Sequence, residues 1–351
     1  MERSANRIPS LDGLRAVSIL LVLLSHVSLT HGFSWSSAME RVDGNFWLRH
    51  GELGVSIFFV ISGYLITTLL MREREKTGRI SLGKFHVRRA FRIFPAAYTF
   101  LLVITIVEWH TIAKGPLLAA WLYGMDFIRH RPWDILHLWS LGVEEQFYLL
   151  WPAALILFWK QRTRIAIGAI VAAPLFRVLF RFVGLHSIMF YCFPCVEDAL
   201  AAGCLLALWR ERIPARLVDR WIVPLVLFTL AANEFRFPFG VYPLLLQTPR
   251  NLCIALLVDH CMRKEYRLLN WAPVVWLGWI SYSLYLWQMP FMNPAGTANP
   301  GHIWFDFPYN LGFALAAACG SYYLVERPML RLRDRIFRRP HAAVEVVAMT
   351  T

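Results

Sequence analysis

Apolar runs long enough to cross a bilayer recur along almost the whole chain. A spanning helix needs about 20 mostly apolar residues. Ten stretches meet that need: 11–31, 53–71, 91–109, 138–159, 165–183, 191–209, 220–235, 241–261, 271–291 and 303–325. The run 115–128 is apolar but short, and reads as re-entrant or interfacial. The pattern predicts an all-α integral membrane protein of about ten transmembrane helices. Residues 1–340 form one membrane domain, and 341–351 a short tail expected to be disordered. The first run is too long for the apolar core of a signal peptide and lacks a small-x-small cleavage site. It reads as an anchor that stays in the membrane.

Charge orients these spans. With the N-terminus placed in the cytoplasm, the inside loops carry 27 Lys and Arg and the outside loops 6, with Arg177, Arg181 and Arg250 inside spans. That asymmetry predicts both termini to be cytoplasmic. Counting 115–128 as a span would turn the basic loop 160–164 outward. Composition agrees: 57% of the 351 residues are hydrophobic and 17% charged, with 15 Trp, 12 Tyr and 25 Phe suited to membrane interfaces. A net charge of +13 could suit nucleic acid in a soluble protein. Here the cations follow membrane orientation and no nucleic-acid-binding motif accompanies them, so no nucleic-acid partner is expected. The lone Cys192-Phe193-Pro194-Cys195 reads as two small buried residues in an apolar segment, with a redox pair as the lesser reading.

Ionisable residues at membrane depth are costly, which makes each a candidate for function. In the first span Asp12 and Arg15 are three apart, and Arg15 and His26 eleven apart, so all three share a face. Arg15 and His26 lie about 16 Å apart along the axis. His26 reads either as a functional imidazole or as a helix-packing histidine, and Asp12 and Arg15 either as part of a site or as interfacial anchors. Arg89 and Arg92, one turn apart at the start of the third span, suit phosphate, or simple anchoring. Glu144 and Glu145 enter the fourth span together. They point about 100° apart, so one at most faces a given cavity; the plain alternative is a helix start capped by Ser140. Glu326, at the end of the last span, needs a cation such as Arg15, Arg89 or Arg92. Asp259 and His260 are expected to be solvated, and Arg177 and Arg181 to line a cavity or to snorkel.

Six segments in order resemble the membrane-bound acyltransferase family 3. They are Leu11-Asp12-Gly13-Leu14-Arg15-Ala16 with His26 beyond it, then the run from Gly54 to Ile66. Next come Arg89-x-x-Arg92-Ile93-x-Pro95 and Trp139-Ser140-x-x-Val143-Glu144-Glu145-Gln146-Phe147-Tyr148. The last two are Ser281-Tyr282-Ser283-Leu284-Tyr285-Leu286 and Glu326-x-Pro328. The resemblance implies a ten-helix enzyme of the inner (plasma) membrane that moves an acyl group, usually acetyl from acetyl-CoA, to a hydroxyl of an envelope sugar or glycan. Some relatives act on small molecules such as macrolides. Some carry a further hydrolase-like domain after the membrane part, which this sequence is not expected to have. Two positions depart from the pattern: Ser56 stands where many members have Asp, and Gln288 where many have His. The roles expected are His26 as general base or acyl carrier, Glu144 as a helper on the outer, acceptor side, and Arg15, Arg89 and Arg92 as holders of the acyl-CoA phosphates. Asp12 and Glu326 support the arginines. Acyl-CoA is the co-substrate, with no metal or other cofactor. The rival class is a transporter or flippase of a lipid-linked sugar, against which stands the lack of paired-half hydropathy symmetry.

Overall fold

The computed structural model describes residues 10–33, 46–234, 246–294 and 303–337. Long helices fill most of them. In chain order these are α1 (Leu11–Val27), α2 (Phe46–Thr77), α3 (Leu82–Val107), the short α4 (Lys114–Trp121) and α5 (Trp139–Leu157). Next come α6 (Arg162–Phe182), the single turn α7 (His186–Met189), α8 (Phe193–Trp209), α9 (Ala215–Glu234) and α10 (Gln247–Lys264). After α11 (Ala272–Trp287), α12 (Tyr309–Ser321) passes through a π-helical segment, Tyr322–Glu326, into α13 (Arg327–Phe337). Among the described residues each of the ten apolar stretches overlaps one of these helices of 13 to 32 residues, whereas the run at 115–128 supplies only the eight residues of α4. By length and composition, four stretches among the described residues are apolar enough to cross a membrane: His50–Thr77, Leu82–Val107, Trp159–Phe182 and His186–Arg212. The tail 341–351 lies outside the described residues.

The outside of the bundle is apolar and polar groups lie within it. On α6, Leu175 and Phe182 are 65% and 85% exposed, while Arg177 between them is buried. Such an arrangement suits lipid around the bundle rather than water. The close crossings use glycine. A Cβ on Gly63 of α2 would sit 2.0 Å from the Leu200 carbonyl oxygen of α8, and one on Gly203 would sit 2.1 Å from that of Val60. Where α1 meets α11, a Cβ on Gly278 would come within 1.9 Å of the Asp12 carbonyl oxygen. At these points backbone lies on backbone, as small residues permit between membrane helices.

Three of the polar residues that sequence left unassigned form structural clusters. Asp259 is not solvated but fully buried, held by Arg210 at 2.8 Å and Arg263 at 2.7 Å. His260, also buried, lies 2.9 Å from Asp219 and 2.7 Å from the Tyr266 hydroxyl. Together they tie the ends of α8, α9 and α10, satisfying charges that an apolar contact would leave costly. Arg177 is buried and pairs with Asp198, while Arg181 is exposed and reaches His186. Cys192 and Cys195 are free and buried, as a packing role requires.

Candidate active site

Two cavities adjoin inside the bundle, and α1 contributes to both. The first, about 230 Å³, is lined by Ser25 and His26 of α1, by His137, by Trp133 and Tyr191, and by Arg250. The second, about 90 Å³, is lined by Arg15 of α1, Arg89 and Arg92 of α3, Ser62 of α2 and Glu144 of α5. Val55, Phe59 and Tyr285 line both, and so form the partition between them. Arg89 and Arg92 also face a cleft of about 580 Å³ beside Arg88 and Arg333, on the far side of the arginine chamber. The sequence-predicted face of α1 is therefore real, with Arg15 and His26 opening into successive chambers.

In the histidine chamber, His26 Nδ1 lies 2.9 Å from Gln288 Oε1. An amide oxygen only accepts, so this contact places the proton on Nδ1 and leaves the Nε2 lone pair available. The edge of the imidazole meets the Trp133 indole, with ring centres 5.7 Å apart. His137 is buried beside Phe100 and Tyr285, ring centres 5.5 and 5.3 Å away. The partition is fastened at Tyr285. Its hydroxyl is 2.7 Å from Ser140 Oγ and donates to the His137 carbonyl at 3.0 Å. Ser140 also donates to that carbonyl, at 3.1 Å.

The arginine chamber is ordered by carboxylates. Arg15 pairs with Asp12 at 3.5 Å, and Trp279 Nε1 donates to the other Asp12 oxygen at 3.3 Å. Arg92 stands 4.0 Å from Glu326, which also accepts from Ser283 at 2.9 Å. The π-helical segment carries Glu326, 1% exposed, at its last position; the extra residue in that turn re-aims the side chains after it. The Arg89 guanidinium lies 4.2 Å over the Tyr148 ring. Arg15, Arg89 and Arg92 line the same cavity. Three guanidiniums converging on one small space suit a polyanion.

Glu144 differs from expectation. It lies not beside His26 but in the arginine chamber, accepting from Ser62 Oγ at 2.6 Å. The reason is depth. The 3-10 segment Trp133–Leu138 already carries the chain into the bundle, so α5 starts inside it and Glu144 sits more than a turn further on. Glu145, a 100° step on, is not among the residues that line that chamber. Sequence reading passed over His137, which lies just before the quoted segment, and Arg250, one cation in an apolar run. Gln288 was noted as a departure, but its partner, 262 positions away, was not foreseeable from spacing.

Comparison with known proteins gives a consistent picture. The sequence profile described as "Acyltransferase domain" matches residues 8–326. A peptidoglycan O-acetyltransferase of Listeria monocytogenes is 30% identical over 329 residues, which cover 83% of this chain and 50% of the relative. A putative peptidoglycan O-acetyltransferase of Bacillus subtilis is 30% identical over 95% of this chain and 56% of its own length. A putative O-acetyltransferase of Staphylococcus aureus is 31% identical over 80% of this chain and 50% of its own. The chain thus spans about half the length of the curated relatives it matches. No solved structure matches it significantly.

Proposed function

Since the chain belongs to the acyltransferase family whose profile it matches from residue 8 to residue 326, we propose that it transfers an acetyl group from cytoplasmic acetyl-CoA to a hydroxyl of an envelope sugar or glycan, with peptidoglycan, the substrate in two relatives' names, as one candidate. The observation that carries this reading is the pair of adjoining chambers, cationic at one end of α1 and holding His26 at the other. The chain crosses the plasma membrane ten times with both termini cytoplasmic, a reading supported by the distribution of Lys and Arg.

The donor enters through the cleft beside Arg88. Its phosphates rest against Arg89, Arg92 and Arg15; Asp12 pairs with Arg15, Glu326 faces Arg92, and Arg89 lies over the Tyr148 ring. Its extended arm runs about 16 Å along α1, past Tyr285, and brings the thioester to His26. The acceptor sugar occupies the histidine chamber. His26 Nε2 takes the proton from the acceptor hydroxyl as the oxygen attacks the thioester carbonyl. The carbon–sulfur bond breaks, and the proton held on His26 passes to the departing thiolate. Gln288 keeps Nε2 facing the reaction throughout. Glu144 belongs to the donor side, where it orients Ser62 and balances the arginines.

The test is a transfer assay on purified protein in detergent with acetyl-labelled CoA and an envelope glycan extract. Label on the glycan, lost in His26→Ala at unchanged protein level, is the expected result. Full transfer by His26→Ala removes the assigned base. Label or sugar that only crosses a vesicle wall, with no transfer in detergent, marks a transporter instead.

A further inference from the structure

His137 takes no part in the transfer step, yet it lines the same chamber of about 230 Å³ as His26. It comes from the 3-10 segment Trp133–Leu138, which carries the chain into the bundle ahead of α5. The residue is 3% exposed, and its ring stands in T-shaped contact with Phe100 and Tyr285. Its backbone carbonyl accepts from Tyr285 and Ser140, but any residue would supply that carbonyl. The imidazole is in a different position. Neither ring nitrogen meets hydrogen-bond geometry with a partner among the described residues. The Leu286 carbonyl faces one of them. A carbonyl only accepts, so it favours the proton on that nitrogen and leaves the other as a bare lone pair.

Packing alone gives no reason for an imidazole here. A phenyl ring would fill the same aromatic slot with no polar atom to bury. A buried acceptor without a donor is costly, and that cost disappears when a ligand brings the donor. His26 is prepared in the same way. Its Nδ1 faces Gln288 Oε1 at 2.9 Å, which leaves Nε2 as a lone pair. Leu286 and Gln288 lie two positions apart where α11 ends, so one stretch of chain sets both imidazoles. The result is two lone pairs in one chamber with room for a single sugar ring. Only one of them is needed to take a proton. A ring held at one point can turn and offer any of its hydroxyls to His26, whereas a ring held at two points offers one.

We propose that His137 selects which hydroxyl of the acceptor is acetylated, its bare ring nitrogen accepting a hydrogen bond from a second hydroxyl of the same sugar ring. The acceptor class is then a sugar with at least two free hydroxyls on one ring, and a ring with a lone hydroxyl is a poor acceptor. The inference rests on the acceptor occupying the chamber that holds His26.

Methyl β-glucoside and its four monodeoxy analogues provide the test, with the full chain in a detergent that carries no sugar. Equilibrium binding is read first, because it does not depend on acyl transfer. In the unaltered protein two of the four deletions are expected to weaken binding about tenfold each, the scale of one hydrogen bond. His137→Phe keeps an aromatic ring and removes the acceptor. One of the two penalties is expected to vanish and the other to stay, whereas a purely structural role would weaken all five ligands together. His137→Leu carries the same expectation and serves if the phenyl ring is not accommodated. His137→Gln, which keeps an acceptor oxygen, is expected to retain part of the penalty. With labelled acetyl-CoA, the unaltered protein is expected to give one predominant monoacetate of methyl β-glucoside, and His137→Phe a mixture. Failure of all five glycosides to bind, or a pattern of penalties unchanged in His137→Phe or His137→Leu, overturns the proposal. The expected binding pattern without any label transfer would keep His137 as a reader of the sugar and count against the acyl-transfer reading alone.

Discussion

The amide of Gln288 decides which nitrogen of His26 can do chemistry, and it does so through a single contact of 2.9 Å. Gln288→Leu removes that contact, frees the ring to rotate and to change tautomer, and leaves the chamber's volume nearly unchanged. The expected outcome is a fall in kcat of about tenfold to a hundredfold, with the donor KM unaltered; steady-state kinetics with acetyl-CoA checks it. Arg89→Ala should show the opposite split. On the proposed reading it removes a guanidinium from the donor's path, so the donor KM is expected to rise about tenfold while kcat at saturation holds; an unchanged KM would take Arg89 out of the donor site. At this scale the sequence was informative wherever one helix carries the whole pattern. Arg15 and His26 share a face because eleven residues make three turns, and the chambers respect that spacing. Glu144 was placed wrongly because sequence gives a helix start but not its depth. Arg250 was passed over because a lone arginine in an apolar run has the same spelling whether it snorkels or is buried in the bundle.

Helix contacts set how close these residues stand. Gly63 and Gly203 let α2 and α8 touch backbone to backbone, and Gly278 lets α11 press on α1 at Asp12. A methyl group at Gly203 has nowhere to go but between the helices. Gly203→Ala is expected to lower stability by about 1–3 kcal/mol, seen as a lower midpoint in thermal unfolding of the detergent-solubilised protein. Gly278→Ala should add a functional loss, because α11 carries Tyr285 and leads directly into Gln288, so it cannot shift from α1 without moving them; a variant with unaltered activity would show that this contact does not position the site. The helices themselves were legible from apolar length, and the one short run was recognised as too short. Their crossings were not, since a glycine in a membrane helix is as often mere composition as a contact. The π-helical segment at Tyr322–Glu326 left no mark in hydropathy at all.

For the molecule as a whole, the order of chambers makes orientation a functional matter. If both termini are cytoplasmic, a fluorescent protein fused after residue 351 should fluoresce and a periplasm-dependent phosphatase at the same point should stay inactive; the reverse pattern would put the donor cleft on the wrong side of the membrane. The charge asymmetry carried this expectation, and no single loop could have. The partition of Val55, Phe59 and Tyr285 has a consequence at this scale. A passage that admits an acyl donor from one side and a sugar from the other is, without that partition, a leak. Cells hold a proton gradient across such a membrane, and a water-filled path through the bundle would drain it. On the proposed reading, the apolar wall of Val55, Phe59 and Tyr285 closes around the donor's arm, so that acetyl is delivered while the bilayer's electrical resistance is kept.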